Sequence, residues 1–290
     1  TTRSAGYILE RFTPESTAAR LLGGALRGIS VPLRAGHQVG LFARRDEASA
    51  PREKLSIVLP VFNEARYVAD VIEALLRKEL SIDKEIIVVE SNSQDGTREI
   101  VQRFEGRPTV RVIYEDRPRG KGHALKTGLA AVTGSIVLIQ DADFEYAIDD
   151  YDALLEPILQ RRAQFVLGSR SLGLNDWKVR RFAQGAFKGF LMNVAQVAFA
   201  KTYNALYQQR ATDVNTMFKV FRRECLDGIA LESDGFDLDI ELACMLAKNG
   251  HAPLEVPVNY VSRGFEDGKK IQFLRDALPS YLAFFRYRFR

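Results

Sequence analysis

The chain lacks long apolar runs, cysteine clusters and histidine clusters, and each absence excludes a class of protein. Nowhere do 18 or more apolar residues follow one another, so the sequence predicts no transmembrane helix, and it shows no signal peptide. Two cysteines, Cys225 and Cys244, are too few for a disulfide framework in 290 residues, which favours buried reduced thiols and a cytosolic compartment. Three scattered histidines exclude an obvious zinc site.

Two nucleotide-binding signatures are also missing. The first predicted strand is not followed by Gly-x-Gly-x-x-Gly, which disfavours a Rossmann dinucleotide site. The Gly120-Lys121-Gly122 segment lacks the glycine spacing of a P-loop, which disfavours a P-loop nucleoside triphosphatase. Any phosphate binding must therefore use another arrangement.

Basic residues are concentrated in three segments, although the net charge is only +4. Lysine and arginine outnumber acidic residues by nine to five in 1–54, by six to one in 175–210 and by seven to three in 263–290. The rest of the chain is acidic, which predicts an acidic site framed by basic flanks. Such flanks suit phosphates or acidic lipid. A nucleic-acid partner is not expected, because the aromatic residues fall in predicted helices and the core is acidic.

The chain divides into three predicted parts: an extension of unknown role (1–54), a main domain (55–262) and a basic, aromatic C-terminal segment (263–290). Within the extension, the pattern indicates an amphipathic helix over Ser16–Ile29 and an extended segment over Val31–Phe42. Neither carries a motif, and the extension either packs on the main domain or lies on a membrane.

The main domain begins with strands that alternate with helices. The predicted strands are Leu55–Val61, Glu85–Glu90, Val110–Tyr114 and Ile136–Gln140, and the predicted helices are Ala65–Leu76, a segment ending at Phe104, and Gly122–Val132. This order predicts an α/β fold with a mostly parallel sheet. In such sheets ligands bind at the carboxyl ends of the strands, where the polar clusters of this sequence fall.

The fourth predicted strand is followed by the acidic sequence Asp141-Ala-Asp143-Phe-Glu145. On an extended backbone alternate side chains share a face, so we expect these three carboxylates to converge. Converging carboxylates repel one another unless a cation lies between them, and Mg²⁺ or Mn²⁺ suits oxygen ligands. Asp-x-Asp is also a common start to a loop or a helix, so the metal interpretation needs support from the rest of the chain.

Two further clusters follow predicted strands. The Glu90–Thr97 loop offers acceptors for a base or a ribose, and helix capping by Ser93 or Asp95 is the alternative. The Arg117–Gly122 segment places cations and glycines ahead of a helix, an arrangement suited to phosphate.

Six motifs occur here in the order seen in family 2 glycosyltransferases. They are Pro60–Glu64, Glu90–Thr97, Gly120–Ala124, the Asp141/Asp143 pair, Gly168–Arg170, and Arg263 followed by Gly268–Ile271. From about Leu55 onward the chain resembles that family, and within it the polyprenyl-phosphate-dependent members such as dolichyl-phosphate mannose synthase. The resemblance implies a GT-A fold, a nucleotide-diphosphate sugar donor and a divalent metal.

The resemblance also implies roles for individual residues. The nucleotide pocket would be lined by Pro60, Phe62, Glu64, Lys121, Asp141 and Ala142, with Glu90 or Ser91 near the base. Asp141 and Asp143 would hold the metal and the diphosphate; Glu145, which the spacing adds to the metal ligands, stands where the family often has Gln. Ser169, Arg170, Arg263 and Lys269 would face phosphates of donor or acceptor. The family usually has two aspartates where this chain has Glu90-Ser91, so the donor base stays open.

Two segments combine aromatic residues with positive charge. Asn175–Arg210 and Ile271–Arg290 are both predicted to be helical, and arginine mixed with aromatics is typical of interfacial membrane anchors. Core packing is the alternative for the first segment. These segments favour peripheral association with the cytoplasmic face of a membrane.

A third acidic cluster, Asp237, Asp239 and Glu241, begins a predicted helix. Asp239 or Glu241 would act as a general base if the acceptor is a hydroxyl. A phosphate acceptor is already ionised, so these acids would then position it or complement the helix amino end.

Together the motifs predict an inverting transferase that moves a sugar from GDP-mannose or a UDP-hexose to a polyprenyl phosphate, inversion being implied by the resemblance. The alternatives are transfer to a glycan hydroxyl and a noncatalytic nucleotide-sugar sensor or scaffold. Donor sugar, lipid length and oligomeric state stay open.

Overall fold

The computed structural model describes residues 2–4, 29–32, 42–43, 52–172, 186–262 and 273–290. The chain forms two compact units, Thr1–Arg52 and Glu53–Arg290. In helix α5 (Ala186–Tyr207) the side chains are described from residue 189 onward, and in helix α7 (Phe273–Arg288) from residue 277 onward.

The first unit contains an antiparallel sheet of short strands: β1 (Thr2–Ser4), β2 (Ile29–Pro32) and β3 (Phe42–Ala43). The amphipathic helix was predicted over Ser16–Ile29, and its residues before 29 lie outside the described part of the chain. Its predicted last residue, Ile29, begins strand β2 instead. The predicted extended segment is confirmed at its two ends, in β2 and in β3.

The second unit is built on a seven-stranded sheet. Its strands are β4 (Lys54–Val61), β5 (Asp83–Glu90), β6 (Val110–Tyr114), β7 (Ile136–Ile139), β8 (Phe165–Ser169), β9 (Lys219–Arg222) and β10 (Leu254–Pro257). The order across the sheet is β10-β8-β9-β7-β4-β5-β6, and β9 runs antiparallel to both neighbours while the other pairs are parallel. The predicted mostly parallel α/β architecture is confirmed.

Helices pack on this sheet in the predicted alternation. They are α1 (Val68–Arg77), α2 (Thr97–Gln102), α3 (Lys121–Ala130), α4 (Tyr151–Leu159), α5, α6 (Leu238–Lys248) and α7. Strands β4, β5 and β7 are apolar on both faces and almost fully buried, because helices cover the sheet on both sides. Predicted and observed helix ends differ by up to three residues for the first three helices.

Helices α5 and α7 each have one buried and one exposed apolar side. Phe199, Tyr203 and Tyr207 repeat at helical spacing on the inner side of α5 and pack against Phe284 of α7, as the ring contacts and the Tyr207 hydrogen bond show. The outer sides carry exposed apolar residues, which are Phe190, Leu191, Val194 and Val197 on α5 and Leu278, Leu282 and Phe285 on α7. Core packing therefore explains the apolar residues on the inner side of each helix, but not those on the outer side. No helix in the described part of the chain is long and apolar enough to cross a membrane.

Candidate active site

A cavity of about 420 Å³ opens at the carboxyl ends of the parallel strands. The predicted site residues that line it are Pro60, Phe62, Glu64, Ser91, Lys121, Asp141, Ala142, Asp143, Glu145, Arg170 and Asp239. The structure thus brings together side chains that are far apart in the sequence, because the ends of parallel strands meet at one edge of the sheet.

The acidic sequence after β7 does not continue the strand. The strand ends at Ile139, and the chain bends from Ala142 to Glu145. Asp143 is buried and its Oδ1 accepts the Glu145 backbone N–H at 3.0 Å, while Glu145 Oε2 accepts the Tyr260 hydroxyl at 2.9 Å. The predicted alternation along an extended backbone is therefore wrong.

The expected convergence of three carboxylates is corrected as well. Over 52–172, 186–262 and 277–290, no group of three acidic, histidine or cysteine side chains is close enough to hold one metal ion. The bend and the hydrogen bond to Tyr260 give Glu145 a different environment from its two neighbours. Asp141 and Asp143 nevertheless fit Mg²⁺ or Mn²⁺, which proteins often hold through one or two carboxylates, with substrate phosphates and water completing the shell.

Lys121 reaches this acidic pair because two glycines allow close backbone packing. Gly120 has a φ of +109°, and a Cβ there would lie 2.2 Å from the Asp234 carbonyl oxygen. A Cβ on Gly122 would lie within 2.8 Å of three backbone atoms of the same 233–235 segment. The amino end of α3 thereby packs against the loop that leads into α6.

Lys121 is the cation of the acidic site. Its Nζ lies 2.6 Å from Asp141 Oδ1, 3.1 Å from the Met217 sulfur and 5.6 Å from the centre of the Phe236 ring. Burial lowers the pKa of Lys121, but the carboxylates of Asp141, Asp239 and Asp143 outweigh that effect and raise the pKa above its ordinary value. Lys121 is therefore charged at neutral pH.

The loops after β4 and β5 are joined by hydrogen bonds. The Asn63 N–H donates to Ser93 Oγ, the Ala65 N–H donates to Asp95 Oδ2, and the Thr97 N–H donates to Asp95 Oδ1. Asp95 thus accepts the N–H of the first residue of α2, but the N-cap position itself is Gly96 and carries no side-chain cap, unlike the capping alternative weighed for this loop. These bonds set the shape of the cavity wall that Phe62 forms.

Of the two candidates for the base, Ser91 lines the cavity and Glu90 does not. Glu90 is fully buried, pairs with Arg98 at 2.6 Å and accepts the backbone N–H groups of Asn92 and Ser93. It organises the loop and offers no group to a ligand.

Arg170 is buried and bound to an acid that the sequence did not single out. Its Nε and Nη2 donate to the two oxygens of Asp213 at 2.6 and 2.8 Å, and its guanidinium lies over the rings of Tyr146 and Tyr260. Burial lowers the pKa of Arg170, but the Asp213 carboxylate raises it well above the ordinary value. Two of its three nitrogens are thus committed to Asp213.

Ser169, another predicted phosphate ligand, does not line the cavity. Ser169 is fully buried, bonds to the Thr212 hydroxyl at 2.7 Å and accepts the N–H groups of Ser171 and Leu172. It therefore shapes the loop after β8. Arg263 and Lys269 lie outside the described residues.

The predicted acidic residues at the start of α6 also differ in whether they line the cavity. Glu241 is fully buried, and its two oxygens accept the N–H groups of Glu232 and Ser233. It does not line the cavity, so it is not placed to act as the predicted base. Asp239 does line the cavity, and its Oδ1 is a buried oxygen without a hydrogen-bond partner. Asn215 also lines the cavity, and its Oδ1 is likewise a buried oxygen without a hydrogen-bond partner.

The segment before β9 forms one wall of the cavity, and the sequence motifs did not predict that it belongs to the site. The Met217 N–H donates to the Tyr146 hydroxyl at 3.1 Å, and the fully buried Lys219 donates from its Nζ to the Thr216 carbonyl. Burial lowers the pKa of Lys219, and Asp239 and Asp213 offset only part of that effect. A lysine inside an apolar strand was the available signal, since buried lysine is rare.

The sequence is similar to those of several known proteins. The chain is 26% identical over 251 residues to dolichyl-phosphate beta-glucosyltransferase of Dictyostelium discoideum, covering 81% of this chain and 74% of that protein. It is 25% identical over 235 residues to glycosyltransferase AglJ of Haloferax volcanii, covering 81% and 72%. It is 24% identical to dolichol-phosphate mannosyltransferase of Pyrococcus furiosus, covering 74% of this chain and 59% of that protein.

Among solved structures, glucosyl-3-phosphoglycerate synthase from Mycobacterium tuberculosis matches with a TM-score of 0.57 and 20% identity, covering 81% of this chain and 78% of that one. Mannosyl-3-phosphoglycerate synthase from Rubrobacter xylanophilus matches with the same TM-score and identity, covering 81% and 72%. These likenesses show the GT-A fold.

A family model matches the part of the chain that carries most of the cavity. Residues 56–229 match the model described as glycosyl transferase family 2, which includes Asp141, Asp143 and Lys121. The noncatalytic alternative is therefore set aside. The chain belongs to glycosyl transferase family 2 and is a glycosyltransferase.

Proposed function

We propose that the protein transfers a sugar from a nucleoside-diphosphate sugar to the phosphate of a polyprenyl lipid at a membrane surface. One observation carries the proposal: a single cavity has a charged wall at Asp141, Asp143 and Lys121 and a mostly apolar wall from α5 and α7, in which Gln196 and Ser280 are the polar members. A sugar nucleotide needs the first wall, and a lipid phosphate needs both. The names of the Dictyostelium and Pyrococcus relatives, both dolichyl-phosphate sugar transferases, support the same acceptor class.

The charged wall suits a departing nucleoside diphosphate. Lys121 is positively charged, and it lies beside Asp141 where the diphosphate would gather negative charge as the glycosidic bond breaks. Asp141 and Asp143 would hold Mg²⁺ or Mn²⁺, which when bound supplies further neutralisation of the leaving group. The titles of solved neighbours name complexes with Mn²⁺ or Mg²⁺ and uridine diphosphate, which supports this metal assignment.

The apolar wall suits the start of a lipid chain. Met192, Ala195 and Phe199 from α5 and Ala277 from α7 line the cavity, and the outer sides of the same helices are exposed and apolar. Exposed cations flank that outer surface, among them Lys201, Arg286 and Arg288. Apolar residues beside arginine and lysine match the interface of a membrane with anionic lipids, which would bring a lipid phosphate to the cavity mouth.

A phosphate acceptor needs no general base, since it is already ionised near neutral pH.

We test the reaction by incubating the purified protein with Mn²⁺, a polyprenyl phosphate and radiolabelled GDP-mannose or UDP-glucose. Acid-labile label in the organic phase, absent when EDTA is added, is the expected result. Hydrolysis of a donor without any labelled lipid would contradict the proposed acceptor.

A second candidate, transfer to a glycan hydroxyl, is favoured by Asp239. Its carboxylate lines the cavity and has an oxygen without a partner, as a general base requires before it binds a hydroxyl. Asp239→Asn separates the two candidates. A hydroxyl-acceptor enzyme should lose most of its rate, about 10²-fold or more, whereas transfer to lipid phosphate should fall far less.

A further inference from the structure

The 232–236 segment, which leads into α6, supports the residue that carries the positive charge of the site. The His123 N–H donates to the Asp234 carbonyl oxygen at 3.2 Å, and the centre of the Phe236 ring lies 5.6 Å from Lys121 Nζ. At the two glycines that flank Lys121, an added Cβ would lie within 2.8 Å of backbone atoms of this segment. The two backbones are in close contact, so a shift of the segment is transmitted to Lys121.

Two buried side chains hold this segment from the side away from Lys121. Glu241 accepts the N–H groups of Glu232 and Ser233 at 2.7 and 2.8 Å. The Ser233 hydroxyl lies 2.9 Å from the hydroxyl of Tyr287, and both residues are at least nine-tenths buried. Burial raises the pKa of Tyr287, so its hydroxyl keeps its proton at neutral pH. The pair is therefore a hydrogen bond shielded from water.

Helix α7 contacts the site at both of its ends. Ala277 and Ser280, near its start, line the cavity, whereas Tyr287 lies in its last turn. Just beyond the helix, Arg290 forms an exposed ion pair with Glu232. Exposed ion pairs contribute little, so the buried bond of Tyr287 is the main polar attachment of this helix end to the 232–236 segment.

We propose that Tyr287 is a positioning residue for glycosyl transfer: its hydroxyl holds Ser233, and through the 232–236 segment it keeps Lys121 beside Asp141. Without this bond the segment can move away from the start of α3, and Lys121 moves with it. A displacement of about 1 Å at a binding group weakens the interaction with its ligand markedly. The inference rests on the proposed function, since it takes Lys121 to bind the diphosphate of the donor.

Calorimetric titration of the full chain with UDP and with GDP, in the presence of Mn²⁺, tests this role. Tyr287→Phe removes only the hydroxyl. For whichever nucleotide the wild type binds more tightly, it should lower the affinity about fivefold, the effect of one lost hydrogen bond.

Tyr281→Phe is the matched control. It removes a hydroxyl from the same helix, one that lies 3.0 Å from the Thr202 hydroxyl and does not line the cavity. It should change the nucleotide affinity less than about twofold.

Two double variants locate the effect. Ser233→Ala should lower the affinity by a similar factor, and combining it with Tyr287→Phe should add less than about twofold, because the two hydroxyls form one bond. Lys121→Met should itself lower the affinity about tenfold. In that background Tyr287→Phe should add less than about twofold, because the side chain that it positions is gone.

A Tyr287 that only stabilised the fold would lower the melting temperature and leave the nucleotide affinity of the folded protein unchanged. Three results would overturn the inference: binding of neither nucleotide by the wild-type chain, unchanged affinity in folded Tyr287→Phe, or an equal loss with and without Lys121. The titrations need no acceptor. If no lipid is labelled, the proposed function fails while the nucleotide affinities still decide the role of Tyr287.

Discussion

The two ends of the seven-stranded sheet both carry carboxylates, half-buried at the amino end and buried at the carboxyl end, and their hydrogen bonding differs. At the amino end, Glu85 at the start of β5 accepts hydrogen bonds from Lys54, Ser56 and Thr133. At the carboxyl end, Asp239 of α6 lines the cavity and has a buried oxygen without a partner. A satisfied carboxylate stabilises the fold, whereas an unsatisfied one keeps hydrogen-bonding capacity for a ligand.

Within the carboxyl end, carboxylates also differ in whether they line the cavity. Asp213 is satisfied by Arg170 and lies behind the cavity, while Asp141 and Asp143 line it. Nearness to the strand ends is therefore not enough to assign a catalytic role. The partners of each carboxylate decide whether its charge is available to substrate.

The largest effect is expected at the carboxyl end, from Asp143→Asn. The amide keeps an acceptor for the Glu145 N–H but removes the charge that would bind the metal, so kcat/KM for sugar transfer should fall about 10³-fold. The melting temperature should stay within about 3 °C of wild type. Undiminished transfer by this variant, measured as labelled product, would remove Asp143 from the site.

Asp213→Ala should give the largest loss of stability. It leaves the Arg170 guanidinium buried without its carboxylate, which typically costs about 3–5 kcal/mol in the free energy of unfolding. Chemical denaturation measures the loss. The double variant Arg170→Met/Asp213→Leu removes both charges and should recover most of that stability, and failure to recover it would show that the pair is not the cause.

Glu85→Gln tests the amino end. Burial alone raises the pKa of Glu85, but hydrogen bonds from Ser56, Lys54 and Thr133 lower it to about 2. Because the folded state favours the carboxylate and solvent screens part of this effect at a half-buried group, its removal should cost about 2 kcal/mol at pH 7 and lower the melting temperature by about 6 °C. Nucleotide affinity should be unchanged, and a change above threefold would contradict the separation of the two ends.

The same group sets a pH dependence of stability. The pKa of Glu85 is lowered on folding, so its contribution is fully present above about pH 4.5 and is lost as the pH falls towards 2. The stability difference between wild type and Glu85→Gln should therefore shrink through this window. A difference that is constant from pH 6 to pH 3 would assign the effect to packing instead.

The smallest effect is expected from Asp152→Asn, which breaks an exposed ion pair with Lys78 at 2.6 Å. Such surface pairs contribute about 0.5 kcal/mol or less, so the melting temperature should shift by less than about 2 °C and transfer should not change. A larger shift in differential scanning calorimetry would show that the pair belongs to a wider network.

Much of this architecture follows from local patterns. Continuous apolar runs at β4, β5 and β7 fix buried parallel strands, and polar residues directly after them fall at the carboxyl edge of the sheet. The placement of Asp141, Asp143 and Lys121 around one cavity could therefore be predicted. The exposed outer sides of α5 and α7 could not be separated from their buried inner sides by composition alone.

Only the tertiary structure decided which polar residues face the cavity. Ser91 is oriented by Glu115, 24 positions away, and Arg170 is held by Asp213, 43 positions away, while Glu90 and Glu241 are turned to backbone N–H groups. Sequence periodicity reports which face of an element is apolar, because that depends on near neighbours. Hydrogen-bond partners are chosen between distant segments, so the availability of a carboxylate or a hydroxyl to substrate is set by the packing of the whole domain.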